Sequence, residues 1–398
     1  MSLTFHWFLP TSGDGRSVFG GGHNIPLADV ASGPDALAAR AGRARTVRRA
    51  PDIDYLAQIA RSAEQLGFTG VLTPTGTWCE DAWLVTAALI AQTQRLKFLV
   101  AFRPGLTSPT LAAQMAATYQ RISRGRLLLN VVTGGENAEQ RRFGDYLPHD
   151  ERYERAGEFL SIVRGAWTGE PYDFTGLHYQ VEGATVLSPP DPLPTVYFGG
   201  SSDAAGPVAA SFADVYLTWG ETPPQVSRKI AWIRGLAEKA GRELRFGIRL
   251  HTISRDSTKE AWTEADRLLA DLSMAEINNA QRALSRSVSV GQERMVALHA
   301  RYRAGGVAAD LEIYPNLWAG IGLVRGGAGT ALVGSHADVA DRIEEYASLG
   351  ITEFIFSGYP HLEEAYWFGE GVLPELRRRG QVRQLTPGSE VLASSGAA

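Results

Sequence analysis

Arg249 and His251 stand two residues apart in RFGIRLH (245–251), a run otherwise built from Phe, Gly, Ile and Leu. On an extended strand that spacing sends both side chains to one side. Burying a guanidinium costs on the order of several kcal/mol unless an anion compensates it. Either residue alone reads first as part of a structural ion pair or as a satisfied core histidine. Together, at the C-terminal end of a buried strand, they favour an anionic ligand. A second apolar run, IFSGYPHLEEAY (355–366), delivers Tyr359 from its own C-terminal end.

FGGSSDAA (198–205) has the makings of a phosphate cradle. Gly199 and Gly200 let backbone approach an anion, Ser201 and Ser202 donate hydroxyls, and a helix expected from about Asp203 would present free N–H groups. An ordinary strand-to-helix turn with a serine cap fits the same residues equally well. GIGLVRGGAGTALVG (320–334) resembles a nucleotide loop only superficially, since a third spaced glycine is missing and no Lys-Ser/Thr follows. Its glycines instead suggest a mobile lid that delivers Arg325. Cys79 in TPTGTWCEDAW follows an apolar strand. A lone cysteine is more often a small buried hydrophobe than a nucleophile, and no partner base is evident. A supporting contact to a cofactor is the role expected of it.

Stepping along the chain, short apolar runs alternate with amphipathic helical patterns. Strands are expected at 3–9, 70–74, 97–103, 126–132, 195–200, 215–220, 245–253 and 353–358, with helices such as 53–67, 111–123 and 336–350 between them. The last helix opens with a capping box, Ser335 with Asp338, and stops at Gly350. Continuous apolar strands are buried on both faces. Such βα units without a dinucleotide fingerprint predict an α/β fold, a (β/α)8 TIM barrel. Insertions are expected after strands 1, 4 and 7, at 11–52, 170–190 (an aromatic hairpin) and 272–334. The chain reads as one domain over 1–376, followed by a mobile tail over 377–398. In such a barrel the site lies at the C-terminal ends of the strands. That rule collects Trp7, Pro10, Thr75, Cys79, Arg103, Asn130, Thr133, Gly199 to Ser202, Trp219, Arg249, His251 and Tyr359. The set holds cations, aromatics and small donors but no paired carboxylates for glycoside hydrolysis and no serine elbow. It suits an anion beside a flat aromatic cofactor that carries the hard chemistry.

The totals agree. With 44% hydrophobic and 21% charged residues, the composition is that of an ordinary globular chain. A formal net charge of −4 gives no electrostatic reason to expect nucleic acid. The one basic run, Arg40 to Arg49, lacks aromatic residues and reads as a solvated face or loop. With one cysteine, no intramolecular disulfide forms, and the histidines show no metal-ligand spacing. No metal, no membrane span and a cytoplasmic location are expected.

WFLPTSGDG (7–15), VLTPTGTWCEDAWLV (71–85), TVYFGGSSDAA (195–205), VYLTWGE (215–221), RFGIRLH (245–251), PNLWAGIGLVRGGAGTALVG (315–334) and FSGYPHLEEAY (356–366) closely resemble the two-component alkanesulfonate monooxygenases. These belong to the bacterial-luciferase-like flavin barrels. The resemblance spans about 3–375. It implies an enzyme that uses reduced FMN and dioxygen to cleave the C–S bond of an alkanesulfonate, giving sulfite and an aldehyde for sulfur acquisition. A separate NAD(P)H-dependent FMN reductase would supply the flavin, and a homodimer or homotetramer would be usual. Carried over by position, Cys79, Arg249, His251, Arg325 and Tyr359 match the family's active-site residues, and Trp219 a substrate-pocket tryptophan. Thr133, Tyr153, Gly199, Gly200, Ser201 and Ser202, with Cys79, are the implied cofactor contacts. Physically, a sulfonate's three oxygens suit arginine's fork. The chain departs from the family in a longer segment at 16–50 and in TGTW (75–78), while NVVTGG (130–135) leans toward members preferring methanesulfonate. Two alternatives stand beside this expectation. One is a luciferase-like flavin monooxygenase acting on sulfones, alkanes or another small organic donor. The other is a non-catalytic flavin- or sulfonate-binding protein.

Overall fold

The computed structural model describes residues 2–18, 49–299, 302 and 305–382. Most of the insertion expected at 11–52, including the basic run before Arg49, lies outside the described residues.

Eight strands close a barrel: β1 (Thr4–Phe8), β2 (Gly70–Thr73), β3 (Lys97–Phe102), β4 (Leu127–Val131), β5 (Thr195–Phe198), β6 (Val215–Trp219), β7 (Arg245–Arg249) and β8 (Ile351–Phe356). Each pairs in parallel with its sequence neighbours, and β1 closes the ring, with His6 opposite both Gly70 of β2 and Ile355 of β8. The (β/α)8 expectation therefore holds strand by strand.

The alternation of side chains explains the two apolar layers. Phe8, Leu72, Leu99, Leu128, Tyr197, Val215, Leu217 and Ile355 fill the barrel interior. Their neighbours along the strands, Phe5, Val71, Phe98, Leu129, Phe198 and Phe356 among them, pack outward against the helices. Each fully buried side chain of this size contributes about 1.5–3 kcal/mol. Trp7 belongs to that outer layer. It packs on Phe68 and Phe368 and donates its indole N–H to His361 O at 3.0 Å, so it stands away from the site where the strand-end rule placed it. Helix starts follow local chemistry. Asp52 accepts from Tyr55 N (2.8 Å) at the helix Ile53–Leu66, and Ser335 and Asp338 exchange the reciprocal bonds of a capping box.

At the lower end of the barrel sits a closed polar cluster. Glu353 accepts from Tyr197 and Arg245 and lies 3.2 Å from His6 Nε2. It faces away from the C-terminal mouth.

The insertion after β4 is an antiparallel hairpin, Tyr172–Thr175 with Gln180–Ala184, as expected. The insertion after β7 is larger and alters two expectations. The strand expected over 245–253 breaks at Leu250. Leu250 N still bonds Ile355 O in the barrel (3.0 Å), but His251 N turns to Thr330 O (2.8 Å), and His251–Arg255 pairs in parallel with Ala331–Ser335 in a separate four-stranded sheet. Arg249 and His251 thus lie in different sheets. The glycine-rich 320–334 segment is buried throughout rather than laid on the surface as a lid. Its backbones pack directly, with Gly322 N bonded to Gly329 O at 2.8 Å, and its last residues form the strand Ala331–Ser335. The helix Leu373–Arg378 crosses the boundary where the tail was expected to begin, and Gln381 O accepts from Leu3 N (2.9 Å). Residues 383–398 lie outside the described residues.

Candidate active site

One pocket opens at the C-terminal ends of the strands, and its walls come from distant parts of the chain. One wall is the turn after β5, Gly199 to Ser202, with Tyr153, His149 and Thr133. The helix that follows begins at Ala205, two residues later than expected. A Cβ on Gly200 would lie 2.5 Å from Ala205 Cβ and 3.0 Å from Tyr153 Oη, so only glycine lets the turn close this tightly. Gly200 O accepts from the Tyr216 hydroxyl, which fixes the turn from below. Ser202 Oγ is buried beside the Tyr153 hydroxyl, with Thr133 on the same phenol. Burial pushes the Tyr153 phenol up, which keeps it a donor at neutral pH. A concave glycine turn lined by buried hydroxyls fits a phosphate group.

The opposite wall carries Arg249, from the end of β7, and Arg325, from the glycine-rich segment. Their guanidinium carbons sit 4.9 and 5.4 Å from the ring centre of Phe8, which lies under both. Arg249 donates to Leu250 O and to Ser357 Oγ (2.7 Å), and Arg325 Nη1 lies 2.8 Å from His251 Nε2. Neither arginine pairs with a carboxylate among the described residues. Burial, reinforced by the neighbouring charge of Arg325, pulls Arg249 well below its ordinary value. Two adjacent buried cations without a counter-ion are costly to maintain in isolation, and an anionic ligand relieves that cost.

His251 and Tyr359 do not form the pocket wall; they stand behind the arginines. Their rings stack at 5.6 Å, and both are almost wholly buried. Burial, then Arg325 and Arg249, hold His251 far below the usual imidazole range, so the ring is neutral at pH 7. Burial raises Tyr359, so its phenol keeps its proton. The structure does not bring Cys79 to the wall either. Its thiol lies against Gly76 O (3.6 Å) and Pro74 O (3.7 Å), and burial pushes it up to about 12. Such a thiol carries little thiolate at neutral pH.

The remaining walls hold residues that the strand-end rule found without partners, or missed. Arg103 forms a buried ion pair with Glu139 at 2.7 Å, and Glu139 also accepts from Thr77 N (3.0 Å). Nothing in the spacing of 103 and 139 announces this contact. Trp219 and Asn130 line the pocket as expected, and Phe8 and Gln292 join them unexpectedly. The insertion after β7 closes over the mouth. Val288 N and Ser287 Oγ both donate to Gly135 O at 3.1 Å, and Gly327 N donates to Gln292 Oε1 at 2.9 Å.

Among the described residues no group of three or more His, Cys, Asp or Glu side chains is placed to hold a metal ion, and no helix is long and apolar enough to cross a membrane.

A family model described as luciferase-like monooxygenase matches residues 27–353. Solved structures share the fold over nearly the whole chain. A riboflavin lyase, solved with a modified FMN and riboflavin, superposes with a TM-score of 0.73 at 20% identity, covering 96% of this chain and 93% of its own. A long-chain alkane monooxygenase gives 0.72 at 18% identity over 96% and 93%. An EDTA monooxygenase from Chelativorans sp. BNC1 gives 0.68 at 20% identity over 96% and 95%. At these identities the likeness establishes the fold.

Proposed function

The chain belongs to the luciferase-like monooxygenases, and from that premise we propose that it uses reduced FMN and dioxygen to oxygenate a small organic donor with an anionic head, an alkanesulfonate. The observation that carries this reading is the pairing, in one pocket, of a glycine–serine anion cradle with two buried arginines that have no carboxylate partner among the described residues.

Ser201, Ser202, Tyr153 and Thr133 would hold the FMN phosphate, with Gly199 and Gly200 allowing its approach. Reduced FMN, when bound, supplies the electrons that activate dioxygen. The protein's own residues do the rest. Arg249 and Arg325 clamp the sulfonate oxygens and stabilise charge that develops at the head group. Trp219 packs against the donor's carbon chain. Tyr359 Oη holds a proton behind Arg325, and neutral His251 fixes the guanidinium rather than adding charge. The segment bonded to Gly135 excludes water from the mouth. For an alkanesulfonate, the C–S bond breaks, one oxygen atom ends in the aldehyde and the other in water, and sulfite leaves with both electrons of that bond. A separate reductase would regenerate the reduced flavin from NAD(P)H.

A second reading draws on the apolar part of the wall. Phe8, Leu72, Leu217 and Val290 line the same pocket, and a long-chain alkane monooxygenase shares the fold. An uncharged donor such as a sulfone or an alkane would use that surface and leave the arginines to the cofactor.

Anaerobic titration separates these readings. Reduced FMN should bind at least tenfold more tightly than reduced riboflavin, which lacks the phosphate. The FMN-loaded protein should then take octanesulfonate in preference to an octyl sulfone, and the Arg249→Lys variant should lose that preference. Equal affinity for the two flavins, or preference for the sulfone, would overturn the corresponding half of the proposal.

A further inference from the structure

Ser357, fully buried one residue beyond β8, presents a single hydroxyl to two residues of the site. Its Oγ lies 2.7 Å from Arg249 Nη2 and 2.7 Å from His251 Nδ1. At the other edge of the imidazole, His251 Nε2 lies 2.8 Å from Arg325 Nη1 and 3.1 Å from Ala328 O. A guanidinium only donates and a carbonyl only accepts, so Nε2 cannot serve both at once. With a lone pair at Nε2 the ring accepts from Arg325. With a proton there it donates to Ala328 O and presents that proton to a cation. A neutral imidazole carries one N–H, so the choice at Nε2 is settled at Nδ1. Among the groups packed on the ring, Arg249 and Arg325 only donate and Tyr359 stacks on its face. The Ser357 hydroxyl can accept from Nδ1–H or donate to a bare Nδ1, and Arg325 Nη1, at 2.8 Å the nearer partner of Nε2, favours acceptance.

We infer that Ser357 is a positioning residue: by accepting from His251 Nδ1–H it holds the ring in the tautomer whose Nε2 accepts from Arg325, and so aims Arg325 into the pocket. Without the hydroxyl, the Nδ1–H would be buried with no acceptor. The ring would then move its proton to Nε2, bond Ala328 O, and release the guanidinium. The consequence for turnover rests on the reading that Arg325 receives an anionic donor; the tautomer itself does not.

The test is a long-range 1H–15N correlation spectrum of protein labelled at histidine, with the His251 signals assigned by their loss in a His251→Gln variant. The parent should show His251 neutral at pH 7.5, protonated at Nδ1 and bare at Nε2. Ser357→Ala should move the proton to Nε2 and weaken binding of methanesulfonate, the probe, by about tenfold, whereas Ser357→Thr, which keeps the hydroxyl, should retain the parent tautomer. A parent ring protonated at Nε2, or an unchanged tautomer in Ser357→Ala, would overturn the inference. Should the alanine variant fail to fold, the parent spectrum decides alone. Protein that shows the expected tautomer yet turns over no sulfonate would sink the functional reading and leave the positioning role intact.

Discussion

At single residues, the proposed function rests on Arg249 and Arg325, which nothing among the described residues neutralises. Arg249 uses one guanidinium nitrogen on Leu250 O and another on Ser357, a two-pronged hold that a lysine cannot reproduce. Arg249→Lys should therefore lower kcat/KM for a sulfonate by at least tenfold, the scale of one charge-assisted hydrogen bond at about 1.5–3 kcal/mol; steady-state sulfite release checks it. Cys79 leads to an opposite expectation. A thiol pushed up to about 12 carries almost no thiolate at pH 8. Alkylation of the native protein by iodoacetamide should be far slower than that of free cysteine, and speed as rapid as the free thiol's would contradict the raised value of this half-buried side chain. That Arg249, Arg325 and the Gly199–Ser202 turn, each carried by a contiguous motif, meet at one pocket was legible in the sequence. Phe8, Glu139 and Ser357 were not, because each matters through a contact with a side chain more than thirty residues away, and no local spacing encodes it.

Element by element, the strands were legible because apolar runs buried on both faces leave few other readings. The break at Leu250 was not. RFGIRLHTI is uniformly compatible with one strand, and only the competing partner, Thr330 O, draws His251 into a second sheet. The glycine-rich segment misled for a related reason. Glycine permits mobility, but it also permits the close backbone packing seen between Gly322 and Gly329. Asp14 shows how the loop after β1 is tied to the helix His361–Trp367. Its carboxylate accepts from His361 N and Nδ1 and from the Tyr55 hydroxyl. Burial alone would raise this acid, but the charge and hydrogen bonds of His361 bring it from 3.8 down to about 2. Because the folded value lies below the unfolded one, the contribution is present in full above about pH 4 and is lost as the pH falls through 2. It amounts to about 2 kcal/mol. Asp14→Asn should destabilise by that order in urea at pH 7, and the gap from the parent should narrow steadily below pH 4. A gap independent of pH would show that the carboxylate's charge contributes nothing.

Across the whole molecule, the barrel sets a closed polar cluster and the candidate site at opposite ends of its axis. Glu353, with Tyr197, His6 and Arg245, closes the lower end, while the pocket occupies the C-terminal mouth. Glu353→Ala would leave the buried Tyr197 hydroxyl and His6 without their acceptor, at a cost on the order of 3 kcal/mol. Denaturant unfolding should register that loss while the affinity for reduced FMN, measured without oxygen, stays within about twofold. The activity we propose is oxygenation of an anionic donor held between the flavin cradle and the arginine pair. It is tested most directly by sulfite release in air from a series running from methanesulfonate to decanesulfonate, with a flavin reductase regenerating reduced FMN. Release that needs both flavin and oxygen, peaks at one chain length and collapses in Arg249→Lys is the expected result. No sulfite from any member of the series, from protein that binds reduced FMN, would contradict it.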